Sequence, residues 1–113
     1  MKIGILKEIE KSEKRVSISP KIAKLLIEKG FEVLVEDGAG DSSKFKNSDY
    51  EKVGATVEMR GAVYKNSNVL VKINPFDEDG LKLIDKNHIL ICQLFHKSHP
   101  EIVKEIAAKG ATI

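Results

Sequence analysis

Val69-Leu70-Val71-Lys72-Ile73 is a continuous apolar run broken by one lysine, and its reading decides the fold. Apolar side chains at successive positions, without alternation, mark a strand covered on both faces, as in a parallel sheet sandwiched between helices. Residues 89–94, Ile-Leu-Ile-Cys-Gln-Leu, read as a second buried strand of the same kind. Working outward, residues 3–6, 31–36 and 55–58 read as further strands. Ser19-Pro20 opens a helix, because serine caps a helix start and proline fits its first position, where no N–H bond is missed. Ile22, Leu25 and Leu26 give that helix its apolar face, and Gly30 ends it. Shorter helices are expected over 48–53, 61–66 and 77–84, the last weakened by Gly80, with a polar loop over 37–47. A final helix is expected to begin at Ser98-His99-Pro100, with Ile102, Val103, Ile106 and Ala107 inward and Gly110 at its end.

Strands alternating with helices predict an α/β domain. Its open, mostly parallel sheet, Rossmann-like or flavodoxin-like, carries helices on both faces and right-handed crossovers. The 113 residues suit one compact domain. Pro20, Ile22, Lys24, Lys29 and Gly30 recur as Pro100, Ile102, Lys104, Lys109 and Gly110 at a constant offset, which is the shared grammar of an αβ unit rather than a duplication. Ala111-Thr112-Ile113 opens a further strand and stops, so the sequence is expected to be part of a longer chain.

Lys and Arg number 19 against 17 Asp and Glu, a net charge of +2 that argues for neither nucleic acid nor an anionic membrane surface. No apolar run approaches the roughly 20 residues of a membrane span. A single cysteine, Cys92, rules out an internal disulfide; inside its strand it reads as a small buried hydrophobe.

Four features bear on chemistry. Asp37-Gly38-Ala39-Gly40-Asp41-Ser42-Ser43 has the first two glycines of a dinucleotide loop but no helical pattern behind it to hold a pyrophosphate, so it reads as a turn. Arg15, in the loop after the first strand, is either a solvated arginine or a bidentate carboxylate clamp. Lys72 lies near the C-terminal end of a buried strand, where ligands of open α/β sheets gather. A buried ammonium there needs a counter-charge or a ligand. His96 follows the second buried strand as either a surface histidine or a general acid and base. His99 stands three residues on, but no third ligand accompanies the pair, so no metal is expected.

The ordered set of segments resembles the alanine dehydrogenase and pyridine nucleotide transhydrogenase family. The opening Met1-Lys2-Ile3-Gly4-Ile5-Leu6-Lys7-Glu8, Lys14-Arg15-Val16, Ser19-Pro20, Gly38-Ala39-Gly40, Ser43-Lys44-Phe45, Val71-Lys72-Ile73-Asn74-Pro75 and His99-Pro100-Glu101-Ile102-Val103 carry the likeness. It implies the first of two α/β domains of an NAD-handling oxidoreductase. NAD would be bound by the second domain, and this segment alone would have no cofactor site. In alanine dehydrogenases the positions matching Arg15 and Lys72 hold the oxo-acid substrate, and a later histidine transfers protons. Transhydrogenases typically have an aromatic residue at the histidine position. Counted without gaps from Lys72 that position is Phe95, and with a shift of one it is His96. Ser43-Lys44-Phe45 and Asn74-Pro75 look more like transhydrogenases.

The resemblance therefore implies a transhydrogenase α-type subunit, taking part in hydride exchange between NAD(H) and NADP(H) coupled to proton translocation. An alanine dehydrogenase and a non-catalytic binding module are the alternatives. The implied partners are the chain's own C-terminal NAD-binding domain, further copies in a homo-oligomer, and membrane and NADP-binding components. The implied location is the cytoplasm or mitochondrial matrix, peripheral to the inner membrane through those partners.

Overall fold

The computed structural model describes residues 1–9, 12–74 and 76–92. Within them five strands form one parallel sheet: β1 (Lys2–Ile5), β2 (Glu32–Glu36), β3 (Thr56–Glu58), β4 (Val69–Val71) and β5 (Ile89–Ile91). Their order across the sheet is β3-β2-β1-β4-β5. β1 is central, pairing Ile3 with Val33 on one side and with Val69 on the other. The order reverses there: the chain winds from β1 outward to β3, then returns to β4 on the other side of β1. Crevices at such reversals, outside the carboxyl ends of the strands, are where open α/β sheets take ligands.

The helices are α1 (Pro20–Glu28), α2 (Asn47–Lys52), α3 (Arg60–Asn66) and α4 (Glu78–Leu83). The Ser19 hydroxyl accepts from the Ile22 N–H to cap α1, Pro20 opens it, and Gly30 follows it at φ +98°, a conformation glycine adopts without strain. Asp77 caps α4 by accepting from the Gly80 N–H at 2.9 Å. Gly80 is no weak point: a Cβ there would lie 2.6 Å from the Tyr64 hydroxyl, so its bareness lets α4 close on α3.

The sheet is covered on both faces. Ile5, Val33 and Val35 pack with Ala23 of α1 and Tyr50 of α2 on one face. Leu6, Leu34, Leu70 and Leu90 pack with Val63, Tyr64 and Leu81 of α3 and α4 on the other. His88 is buried beneath the second layer, with Nδ1 accepting from the Asp85 N–H at 3.0 Å and Nε2 2.7 Å from the Tyr64 carbonyl. That arrangement needs the neutral ring with its proton on Nε2. Among the described residues no helix is long and apolar enough to cross a membrane.

Several expectations need correction. Ile22 and Leu25 are exposed, because α1 turns Ala23 inward, with Leu26 and Ile27 half-buried beside it. β5 is not buried on both faces: Leu90 points into the core while Ile89 and Ile91 are exposed. Cys92 follows β5 instead of lying within it, and is half-buried against the α3–α4 layer. The polar loop contains a short 3-10 turn, Asp41–Ser43. The helix expected from Ser98 and the strand expected from Ala111 lie outside the described residues.

Candidate functional site

β1 and β4, the neighbours at the reversal, end side by side and deliver Glu8 and Lys72 to the same point. The Lys72 ammonium lies 3.2 Å from Glu8 Oε1, with 4% and 3% of the two side chains exposed. The same Oε1 accepts from the Asn74 backbone N–H at 3.0 Å and the Asn74 side-chain amide at 3.3 Å, and Oε2 accepts from the Ile73 N–H at 2.8 Å. One carboxylate from the end of β1 thus ties down the chain leaving β4. A buried ion pair is at best weakly stabilising, because desolvation consumes most of its attraction. Its effect here is positional: it fixes an ammonium in the crevice.

Asn74 extends the network. Its side-chain amide donates to Glu13 Oε1 at 3.1 Å as well. Glu13 in turn accepts two bonds from the Arg15 guanidinium, Nε to Oε2 at 2.9 Å and Nη2 to Oε1 at 2.8 Å, a bidentate fork. Those bonds hold the Glu13 carboxyl down at about 2, against an ordinary 4.5. They push the Arg15 guanidinium pKa above its usual value. The Arg15 side chain is 67% exposed whereas that of Glu13 is 9% exposed. Arg15 and Lys72, far apart in sequence, are therefore joined through Glu13, Asn74 and Glu8 by contacts of 2.8–3.3 Å. Of the two open readings of Lys72, the structure shows the salt bridge: its counter-charge is Glu8.

Sequence reasoning required a partner for Lys72 without identifying Glu8, and it missed Asn74 and Glu13 as site residues. The signal for Glu8 was a carboxylate directly after the first strand. Glu13 stood two residues before the singled-out arginine.

A second carboxylate of similar design closes the neighbouring strand. Glu36, at the end of β2, accepts from the Lys7 N–H at 3.2 Å and from Arg60 Nε at 3.3 Å, and Arg60 reaches Asp77 at 3.8 Å. These groups line a cleft of about 570 Å³ with Glu8, Asp37 and Asp79, and Ile9 and Met59 expose apolar surface on its walls. Cys92 lies close enough to Lys72 and Glu8 to feel their charges, and burial pushes its thiol up to about 11.

The Gly38-Ala39-Gly40 segment lacks the helix start that a dinucleotide loop needs. Gly38-Ala39-Gly40 forms a turn in which the Ala39 N–H bonds the Glu36 carbonyl, and only the three-residue Asp41–Ser43 turn follows. Gly40 is bare for packing: a Cβ would lie 2.8 Å from Phe45 and 2.9 Å from Tyr50. The cleft sets Glu8, Glu36, Asp37, Asp77 and Asp79 beside Lys7 and Arg60. His96, together with Phe95 and His99, lies outside the described residues.

The relatives agree with this architecture. The model of the alanine dehydrogenase/PNT N-terminal domain matches residues 4–113. Over 113 residues the chain is 26% identical to the NAD(P) transhydrogenase subunit alpha of Haemophilus influenzae, covering all of this chain and 22% of that protein. Over 96 residues it is 35% identical to alanine dehydrogenase 2 of Staphylococcus aureus, covering 79% of this chain and 26% of that one. Among solved structures, the transhydrogenase from Sinorhizobium meliloti superposes with a TM-score of 0.92 at 29% identity, over 98% of this chain and 33% of that chain. An L-alanine dehydrogenase does so with 0.92 at 28%, over 98% and 31%. The chain thus spans between 22% and 33% of these four proteins. On the match of 4–113, the parallel fold and its superposition, the chain belongs to the alanine dehydrogenase/PNT N-terminal domain family.

Proposed function

We propose that this chain is the N-terminal domain of an NAD(P) transhydrogenase α-type subunit, and that its switch-point crevice faces a nucleotide-binding domain elsewhere in the same protein. The observation that carries this reading is the collinear match of all 113 residues to a transhydrogenase α subunit. The crevice supports it: Arg15 and Lys72 are joined in one network beyond the carboxyl ends of β1 and β4, where open α/β sheets take ligands. In this reading Arg15 and Lys72 line the cleft between the two domains of the longer protein, which works in the cytoplasm or mitochondrial matrix with membrane and NADP-binding partners.

An alanine dehydrogenase is the second reading, favoured by the 35% identity over 96 residues. In it Arg15 grips the carboxylate of a 2-oxo acid, Lys72 takes its carbonyl oxygen, and His96 moves the proton. The test uses the full-length protein. Hydride transfer from NADH to NADP⁺ in membranes holding all components, lost when this subunit is left out, supports the first reading. NADH oxidation that requires both pyruvate and ammonium, abolished by His96→Ala, replaces it with the second. Neither activity in a folded full-length protein defeats both.

A further inference from the structure

The turn that feeds β5 holds a buried titratable group that the crevice does not use. His88 is 4% exposed, and each ring nitrogen has one partner. Nε2 donates to the Tyr64 carbonyl in the last turn of α3, at 2.7 Å, and Nδ1 accepts from the Asp85 N–H at 3.0 Å. The Asp85 side chain stands by: its Oδ1 accepts from the Asn87 N–H at 2.8 Å and lies 3.7 Å from Nδ1. We propose that Asp85 and His88 form a proton-operated turn, in which a proton on Nδ1 expels the Asp85 N–H and draws in the Asp85 carboxylate. This reading is independent of which oxidoreductase the longer protein is.

Histidine is the side chain whose ordinary charge change falls between about pH 5 and 8. Charging the ring leaves the Nε2 bond in place, because a cation suits the carbonyl end of a helix. The Nδ1 side cannot stay as it is, since a ring N–H would face a backbone N–H. Asp85 then exchanges roles. Its backbone N–H goes to water, and its carboxylate leaves Asn87 for Nδ1. The turn therefore has two bonded arrangements and a proton chooses between them, which is what a switch requires.

No second carboxylate forms an ion pair with the ring among the described residues. The turn also carries Lys86, which is exposed. From α3 the Tyr64 ring meets His88 edge to face at 6.4 Å, and burial keeps its phenol protonated. Arg60 of α3 is occupied by Glu36 and Asp77, and Lys65 is exposed. Glu78, Asp79 and Lys82 of α4 are exposed, and β4 and β5 have no titratable side chain.

Hydrogen exchange of the full-length protein, followed by mass spectrometry at about pH 8 and about pH 5 and corrected for the chemical rate, tests this. The segment 85–88 is expected to lose protection at least about threefold at the lower pH. In His88→Asn and His88→Gln, which cannot take up the proton, that loss should vanish. Equal protection of the wild type at both pH values overturns the proposal, as does a loss that persists in both variants. Should neither variant fold, Asp85→Ala decides. Its charged ring has no carboxylate to receive it, so the unfolded chain takes the proton more readily and stability falls as pH falls. Its urea midpoint should drop between the two pH values by more than that of the wild type, and an equal drop overturns the proposal.

Discussion

Removing the Glu8 carboxylate should cost more than removing the lysine it holds. Glu8→Ala strands the Lys72 ammonium in a site 4% exposed and leaves the Ile73 and Asn74 backbone N–H groups without their acceptor. Breaking a buried pair from one side costs about 3–5 kcal/mol, because the remaining charge is uncompensated. Lys72→Met removes the cation but leaves Glu8 with three N–H donors, two from the backbone and one from the Asn74 side chain. A carboxylate so solvated tolerates the loss, at about 1–2 kcal/mol. The double variant Glu8→Ala/Lys72→Met should be more stable than Glu8→Ala alone, since no buried charge remains. Urea unfolding followed by circular dichroism measures all three. With a slope near 2 kcal/mol per molar, Glu8→Ala should lower the midpoint by about 2 M and Lys72→Met by less than about 1 M. Equal costs for the two single variants, or a Glu8→Ala cost under about 1 kcal/mol, would refute the view that the carboxylate anchors the crevice.

Two further outcomes follow from packing and burial. Gly4 lies where α3 crosses β1, and a Cβ there would meet Val63 at 2.8 Å and run into Ser67, so Gly4→Ala should destabilise by about 1–3 kcal/mol, seen as a lower thermal midpoint. The Cys92 thiol, raised from 9.0 to about 11 mainly by burial, binds its proton more tightly folded than unfolded. Stability should therefore fall as pH rises from about 9 to about 11, and Cys92→Ser should lessen that slope in urea titrations, most between about 9 and 10, below the range where the buried Tyr50 and Tyr64 phenols add their own.

The sheet was legible because its strands are written as apolar runs, and the run at 69–73 pointed correctly to a parallel sheet. The order across the sheet was not legible, since it depends on α3 carrying the chain from β3 back past β1, which no local pattern encodes. Ile22 and Leu25 misled because helical spacing shows that an apolar stripe exists but not which residue meets the sheet; the small Ala23 does, letting α1 lie close. Ile89 and Ile91 misled because an apolar run alone does not reveal how far a strand stands from the middle of the sheet.

At the site, the chemistry of Lys72 demanded a partner, and the partner proved to be 64 residues away in sequence. Sequence distance hides such a pair while the fold makes it adjacent. Arg15 was singled out for a guanidinium in the loop after the first strand and for its place in the resemblance. Its fork with Glu13 depends on the path of a loop, which composition does not specify.

The central place of β1 has a consequence for how the molecule is made. Lys2–Ile5 leaves the ribosome before both strands it bonds to, one beginning at Glu32 and the other at Val69. This central strand must wait with both edges open, one until β2 emerges and the other until β4 does. Closing such long loops costs entropy before any contact repays it, so folding should be slow for the size of the domain. During that wait Ile3 and Ile5 are the segment that most needs shielding, for a strand with two free edges is the strand most easily captured by another chain.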